Sequence, residues 1–194
     1  MSSPSLTIAW GLAGLLLFNS PIFSAARAAE TPSAASSSDA FLDSASVSWK
    51  VNDFAIARWK TLVGGIEGGQ LPQEDVQFGL WELAPHAIYH GHRHEVPEIY
   101  YILEGSGEWT VGEETRVVGP GMTIYTQPGA VHKMVNRSDM PLRTLWFWWA
   151  PAGQRDVFTG DYEFTEESPT QPDKVVPWSV ESDPNMEKLH AGEQ

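Results

Sequence analysis

His90-Gly91-His92-Arg93-His94-Glu95-Val96-Pro97-Glu98-Ile99-Tyr100 is the stretch that decides how this chain is read. Imidazoles at 90, 92 and 94 and a carboxylate at 98 all fall on even numbers. In a strand, residues two apart point to the same face, so these side chains converge. Imidazole nitrogen and carboxylate oxygen are usual donors to a first-row metal, and two imidazoles facing one carboxylate make a metal site. Downstream, Gln127-Pro128-Gly129 marks a turn, and His132 follows it with one more imidazole.

Around these stretches lie short strand-like runs at 76–83, 86–90, 98–103, 108–111, 115–118, 122–126, 131–135 and 142–149. Turn signals separate them: Ala84-Pro85, Gly105-Ser106-Gly107, Gly112-Glu113-Glu114, Gly119-Pro120-Gly121 and Gln127-Pro128-Gly129. Close spacing of short strands with Gly/Pro turns, and no helical periodicity between them, predicts an antiparallel barrel or sandwich. Upstream, 47–51 alternates as a strand does, 55–63 reads equally as strand or short helix, and Gly64 to Pro72 is a loop.

The two histidine stretches together resemble the cupin superfamily. His92, His94, Glu98 and Gly105 match its first motif, and Gly121, Gly129, His132 and Asn136 match its second. The resemblance covers roughly residues 76–150 and implies an all-β jelly-roll barrel with a metal in its mouth, held by His92, His94, Glu98 and His132. Two positions depart from the pattern. His86 stands where a Gly is usual, and Gln127 stands where a Pro is usual, with the Pro displaced to 128. Four such donors on a divalent ion leave two cis positions of an octahedron for substrate, water or oxygen. Iron, manganese, nickel, zinc and cobalt all accept this set.

Several neighbours are candidates for chemistry. Tyr100, two residues past Glu98, points to the same cavity, where a phenol beside a divalent cation loses its proton more easily and can act as general base. A core aromatic using its hydroxyl for one hydrogen bond is the plainer alternative. His90 is either a fifth donor or proton carrier, or a solvated rim histidine. In the run 142–149, Trp146 and Trp148 share one face, able to hold a sulfonium or ammonium group by cation–π attraction. Phe147 and Trp149 take the other face, as core or as subunit interface. Tyr125 and Tyr162 are lesser candidates for contacting substrate.

At 194 residues the chain suits one domain with flanking segments. Its 25 Asp and Glu against 12 Lys and Arg give a formal charge of −13, which repels nucleic acid and anionic membrane. No cysteine is present, so disulfides and thiolate metal sites are excluded. The apolar run from Leu6 to Phe18 and the small-x-small Ala26-Arg27-Ala28 read as a signal peptide over 1–29, without the usual basic start. The expected organisation is then a disordered Ser/Ala-rich linker at 30–46, the cupin domain at 47–165 and a polar extension at 166–194. The mature protein is expected to be exported, with no membrane span, and to form a homodimer that covers its sheet edges and spare aromatic face.

Within the superfamily, the chain is similar to the single-domain lyases that cleave dimethylsulfoniopropionate. The likeness lies in Arg58-Trp59-Lys60 before a Gly-rich loop, the run from Phe78 to Pro85, Glu98-Ile99-Tyr100, and the aromatic last strand followed by Tyr162. It implies β-elimination of a small-molecule substrate, with Tyr100 as base and a Trp-lined wall for the sulfonium. Fold alone leaves two other expectations open. One is an Fe(II) dioxygenase or isomerase on the same ligands. The other is a non-catalytic exported protein that binds metal or a small ligand.

Overall fold

Short apolar runs rich in β-branched and aromatic residues become strands, and Gly and Pro end them, as their backbone preferences require. The computed structural model describes residues 41–52, 54–64, 69–71, 75–150, 162–165, 170–175, 177–178 and 186–188. The chain divides into two units, Met1–Ala34 and Ala35–Gln194, and all described residues belong to the second. The expected signal peptide lies outside the described residues, as does most of the expected linker and extension. Among the described residues no helix is long and apolar enough to cross a membrane.

The strands are β1 (Trp49–Val51), β2 (Ala57–Val63), β3 (Val76–Leu83), β4 (Ile88–Arg93), β5 (Glu98–Glu104) and β6 (Gly107–Val111). They continue with β7 (Glu114–Val118), β8 (Thr123–Thr126), β9 (His132–Val135), β10 (Leu142–Trp149), β11 (Glu163–Phe164) and β12 (Met186–Lys188). One sheet has the order β12-β1-β2-β3-β10-β5-β8 and the other β11-β4-β9-β6-β7. Among the described strands every pairing is antiparallel except that of β1 with β12. This is the expected jelly roll. The segment that read as strand or helix is strand β2. The last residues of the expected linker form a 3-10 turn, Ser44–Ser46, tied to β2 where Lys60 Nζ donates to Ser44 O at 2.8 Å.

Strand alternation places the core. Along β10, Leu142, Thr144 and Trp146 are buried while Arg143, Leu145 and Phe147 are only partly so. Ala57, Trp81, Leu83, Tyr100, Ile102 and Trp146 from the first sheet pack with Trp109, Val118 and Met134 from the second. Burying each large apolar side chain stabilises the fold by about 1.5–3 kcal/mol.

His86 has φ +58, a left-handed conformation that most residues avoid. That explains why a Gly is usual there: only Gly adopts it without steric cost. The turn delays β4, which starts two residues later than the expected strand at 86–90 and ends at Arg93. A second irregularity lies inside β4. Tyr89 pairs with Met134 and His92 with His132, and the register shifts between them. This bulge turns Tyr89 and His92 to the same side despite their opposite parity.

Candidate metal centre

Glu98 opens β5 of the larger sheet, while His92 on β4 and His132 on β9 stand directly opposite each other in the smaller one. His94 follows immediately after β4. The centre therefore forms where the two sheets face each other. His92, His94, His132 and Glu98 are all at most 4% exposed.

Each imidazole is held by its far nitrogen. His92 Nδ1 lies 3.0 Å from His90 O, His94 Nδ1 2.8 Å from Val96 O and His132 Nδ1 3.1 Å from Ala130 O. A carbonyl only accepts, so in the neutral ring each Nδ1 carries the proton and each Nε2 presents a lone pair. The ligating atoms of the three histidines all lie within 4.8 Å of one another. Glu98 Oε2 is 3.3 Å from His94 Nε2 and 3.1 Å from His132 Nε2. Although buried, none of these three atoms has a hydrogen-bond partner. Lone pairs converging on a carboxylate oxygen repel unless a cation stands among them, and a buried polar group without a partner costs about 1–3 kcal/mol. The three imidazoles can hold a metal ion, and the donor set fits a divalent one.

The turn before His132 explains the displaced Pro. Ala130 N–H donates to Gln127 O at 3.0 Å, closing a four-residue turn with Pro128 and Gly129 at its centre. Gly129 has φ +73, the value a type II turn requires at its third position, and Pro is favoured just before it. Gly129 N–H then donates to His94 O at 2.8 Å, which ties this turn to the segment carrying His94.

Electrostatics differ between the donors. Burial, and then the neighbouring His132, hold His92 well below the ordinary histidine value, so it stays neutral. Burial also lowers His94, but the Glu98 carboxylate 3.3 Å from its Nε2 outweighs this and raises it. Burial raises Glu98, yet the neighbouring His132 and His94 prevail and keep it ionised. A metal must therefore displace a proton chiefly from His94. Metal affinity is expected to start falling above pH 6.5, the unperturbed histidine value, as acidification loads His94. Chelator competition across the neutral-to-acid range measures this, and an affinity that stays flat well below that pH contradicts it.

Trp148 and Trp146 share the inner face, as the alternation predicts. Trp148 Nε1 donates to Glu98 Oε1 at 2.5 Å, and its ring lies 5.0 Å from that of His94. The indole thus fixes the carboxylate while leaving Oε2 turned toward the imidazoles. Trp148→Phe keeps a ring but loses this bond, and is expected to weaken metal binding about 10- to 100-fold. An unchanged affinity by chelator competition would show that Glu98 needs no such support.

Tyr100 also faces inward, packed against Trp109 at 4.6 Å and Trp81 at 5.9 Å. Burial, then the charge and hydrogen bond of Glu98, hold its phenol well above its ordinary value. Tyr162 lies over the centre, its ring stacked on those of His92 at 5.0 Å and His94 at 5.8 Å. Tyr125 stands elsewhere. Thr126 pairs with Glu98 and turns inward, so its neighbour Tyr125 points out, 54% exposed and stacked on Trp149. His90 does not join the three clustered imidazoles: the bulge breaks the alternation, and its ring packs at 3.9 Å against Phe164. Tyr89 is an aromatic neighbour of the centre that parity counting misses. Its ring is 5.1 Å from His92, and its hydroxyl 3.1 Å from that of Tyr162. Gly91, a glycine within a strand, is the sequence signal for the bulge that brings it in.

Residues 79–148 match the family model described as the cupin domain. This stretch is a cupin domain. Over 78 residues the chain is 35% identical to a dimethylsulfoniopropionate lyase of Ruegeria pomeroyi, covering 40% of this chain and 49% of that protein. Over 67 residues it is 41% identical to an uncharacterized protein of Methanocaldococcus jannaschii, covering 34% of this chain and 54% of that one. The chain thus spans about half the length of these curated relatives. Among solved structures, the polyketide cyclase RemF of Streptomyces resistomycificus superposes with a TM-score of 0.52. That match is at 20% identity and covers 66% of this chain and 86% of that one. It speaks to the cupin fold alone.

Proposed function

We propose that the chain is a metal-dependent carbon–sulfur lyase that cleaves dimethylsulfoniopropionate, or a similar small carboxylate, by β-elimination. The observation that carries this reading is the placement of Tyr100 beside Glu98 in a centre whose imidazoles present their lone pairs inward. The likeness to the lyase of Ruegeria pomeroyi, 35% identical over 78 residues, supports the choice of substrate. A divalent metal held by His92, His94, Glu98 and His132 would supply Lewis-acid polarisation of the substrate carboxylate.

The chain's own residues do the rest. Tyr100 takes the proton from the carbon next to the carboxylate. As that C–H bond breaks, its electron pair forms the carbon–carbon double bond, and the C–S bond breaks with its pair leaving on sulfur. Acrylate and neutral dimethyl sulfide result, and the proton rests on the Tyr100 oxygen. Burial and then the Glu98 charge hold this phenol protonated, and a cation on the donors would offset the Glu98 part and favour the base form. The ring faces of Trp148 and Trp146 hold the sulfonium by cation–π attraction. The net negative charge of the chain favours a cationic head group as well.

The test is headspace gas chromatography. Protein loaded separately with Fe(II), Mn(II), Co(II), Ni(II) and Zn(II) is given dimethylsulfoniopropionate, and metal-dependent release of dimethyl sulfide is expected. Silence with every metal, on protein shown to contain it, rejects the lyase reading, and oxygen consumption with Fe(II) then tests the dioxygenase alternative.

A further inference from the structure

β11 lies antiparallel along β4, with Glu163 opposite Arg93 and Phe164 opposite His92. Thr165 N–H extends this ladder to Gly91 O at 2.9 Å. Further along the chain, the side chain of Gln171 acts as a strand residue would. Its Nε2 donates to Ile88 O and its Oε1 accepts from Ile88 N–H, both at 2.8 Å. Without these contacts β4, the strand that carries His92, would be the edge of its sheet.

The side chains of this strap reach inward over the donors. The Tyr162 ring lies within 21° and 25° of parallel to those of His92 and His94. Its hydroxyl meets that of Tyr89, and Phe164 covers His90. On the outside, Arg93 donates to Glu163 Oε2 through Nε at 2.8 Å and Nη2 at 2.6 Å. Both partners are about half exposed, at 48% and 51%.

We propose that this strap is the roof of the metal centre and sets how fast the metal leaves, with Tyr162 as positioning residue and Arg93–Glu163 as latch. The inference rests on the metal-centre reading. An imidazole must swing its Nε2 away to release an ion, and a phenol ring stacked on His92 and His94 blocks that swing. The latch, being half exposed, is screened by salt, whereas the stacked rings beneath it are not. Metal exchange is therefore coupled to ionic strength through a residue pair whose side chains are not donors.

The test uses the full chain loaded with Co(II), whose visible absorption reports histidine coordination, mixed with excess EDTA. Tyr162→Ala is expected to speed cobalt loss about tenfold. Glu163→Gln is expected to speed it about two- to fivefold at low salt. Raising salt should speed release from the wild type by a similar factor and leave Glu163→Gln unchanged. Circular dichroism verifies the fold of each variant, and Glu163→Gln alone decides the matter if Tyr162→Ala does not fold. Equal release from wild type and Glu163→Gln at low salt, or a salt effect that survives in the variant, overturns the roof while the centre stands. A wild-type chain that takes up no cobalt overturns both.

Discussion

His132→Ala is expected to strip the centre of metal while leaving the jelly roll folded. His132 is fully buried, its Nδ1 fixed on Ala130 O and its Nε2 3.1 Å from Glu98 Oε2. Alanine removes a donor and also one of the two imidazoles that keep the buried Glu98 carboxylate ionised. Both effects weaken affinity, so the loss should exceed the roughly 10- to 100-fold typical of outer-shell changes. The fold should survive, because the cluster of Trp81, Ile102, Trp109, Met134 and Leu142 does not depend on this imidazole. Metal content after dialysis, read beside circular dichroism, checks both halves. Near-stoichiometric metal in this variant would remove His132 from the donor set.

Tyr100→Phe is expected to abolish turnover without unloading the metal. The ring stays, so its packing on Trp81 and Trp109 is kept, and only the hydroxyl beside Glu98 is lost. General-base catalysis contributes about 10²- to 10⁴-fold, and a loss of kcat in that range at unchanged metal content is the expected signature. A drop in metal content would instead mean that the hydroxyl acts by supporting Glu98. Full activity in the variant would assign the proton abstraction to another group.

Much of the site was legible because the period of a strand is two and its donors lie in one short run. His92, His94 and Glu98 fall on one parity, and the Pro-Gly turn announces His132. The order of strands from β3 to β10 was readable from their turn residues, since Gly and Pro act through local backbone sterics. What the sequence withheld depends on pairing. The bulge between Tyr89 and His92 reverses parity locally, so Tyr89 enters the site and His90 leaves it. Tyr125 was placed by chemistry alone, and the pairing of Thr126 with Glu98 turns it outward. The alternation of Tyr162-Glu163-Phe164 allows an added edge strand or a cover for the barrel mouth, but the pairing of β11 with β4 follows from its contacts with Arg93 and the ligand rings. The bond from Trp148 to Glu98 spans fifty residues and follows from the register of β10 on β5.

The donors come from opposite sheets: Glu98 from one, His92 and His132 from the other. An ion held by all of them is a crosslink, and this chain, without a cysteine, has no covalent one of its own. Loading is then a stapling event as well as a chemical one. A ligand at about 100 times its dissociation constant adds about 2.7 kcal/mol to the stability of the folded state. Heat resistance of the protein should therefore rank the candidate metals by how tightly each closes the sandwich, before any substrate is added.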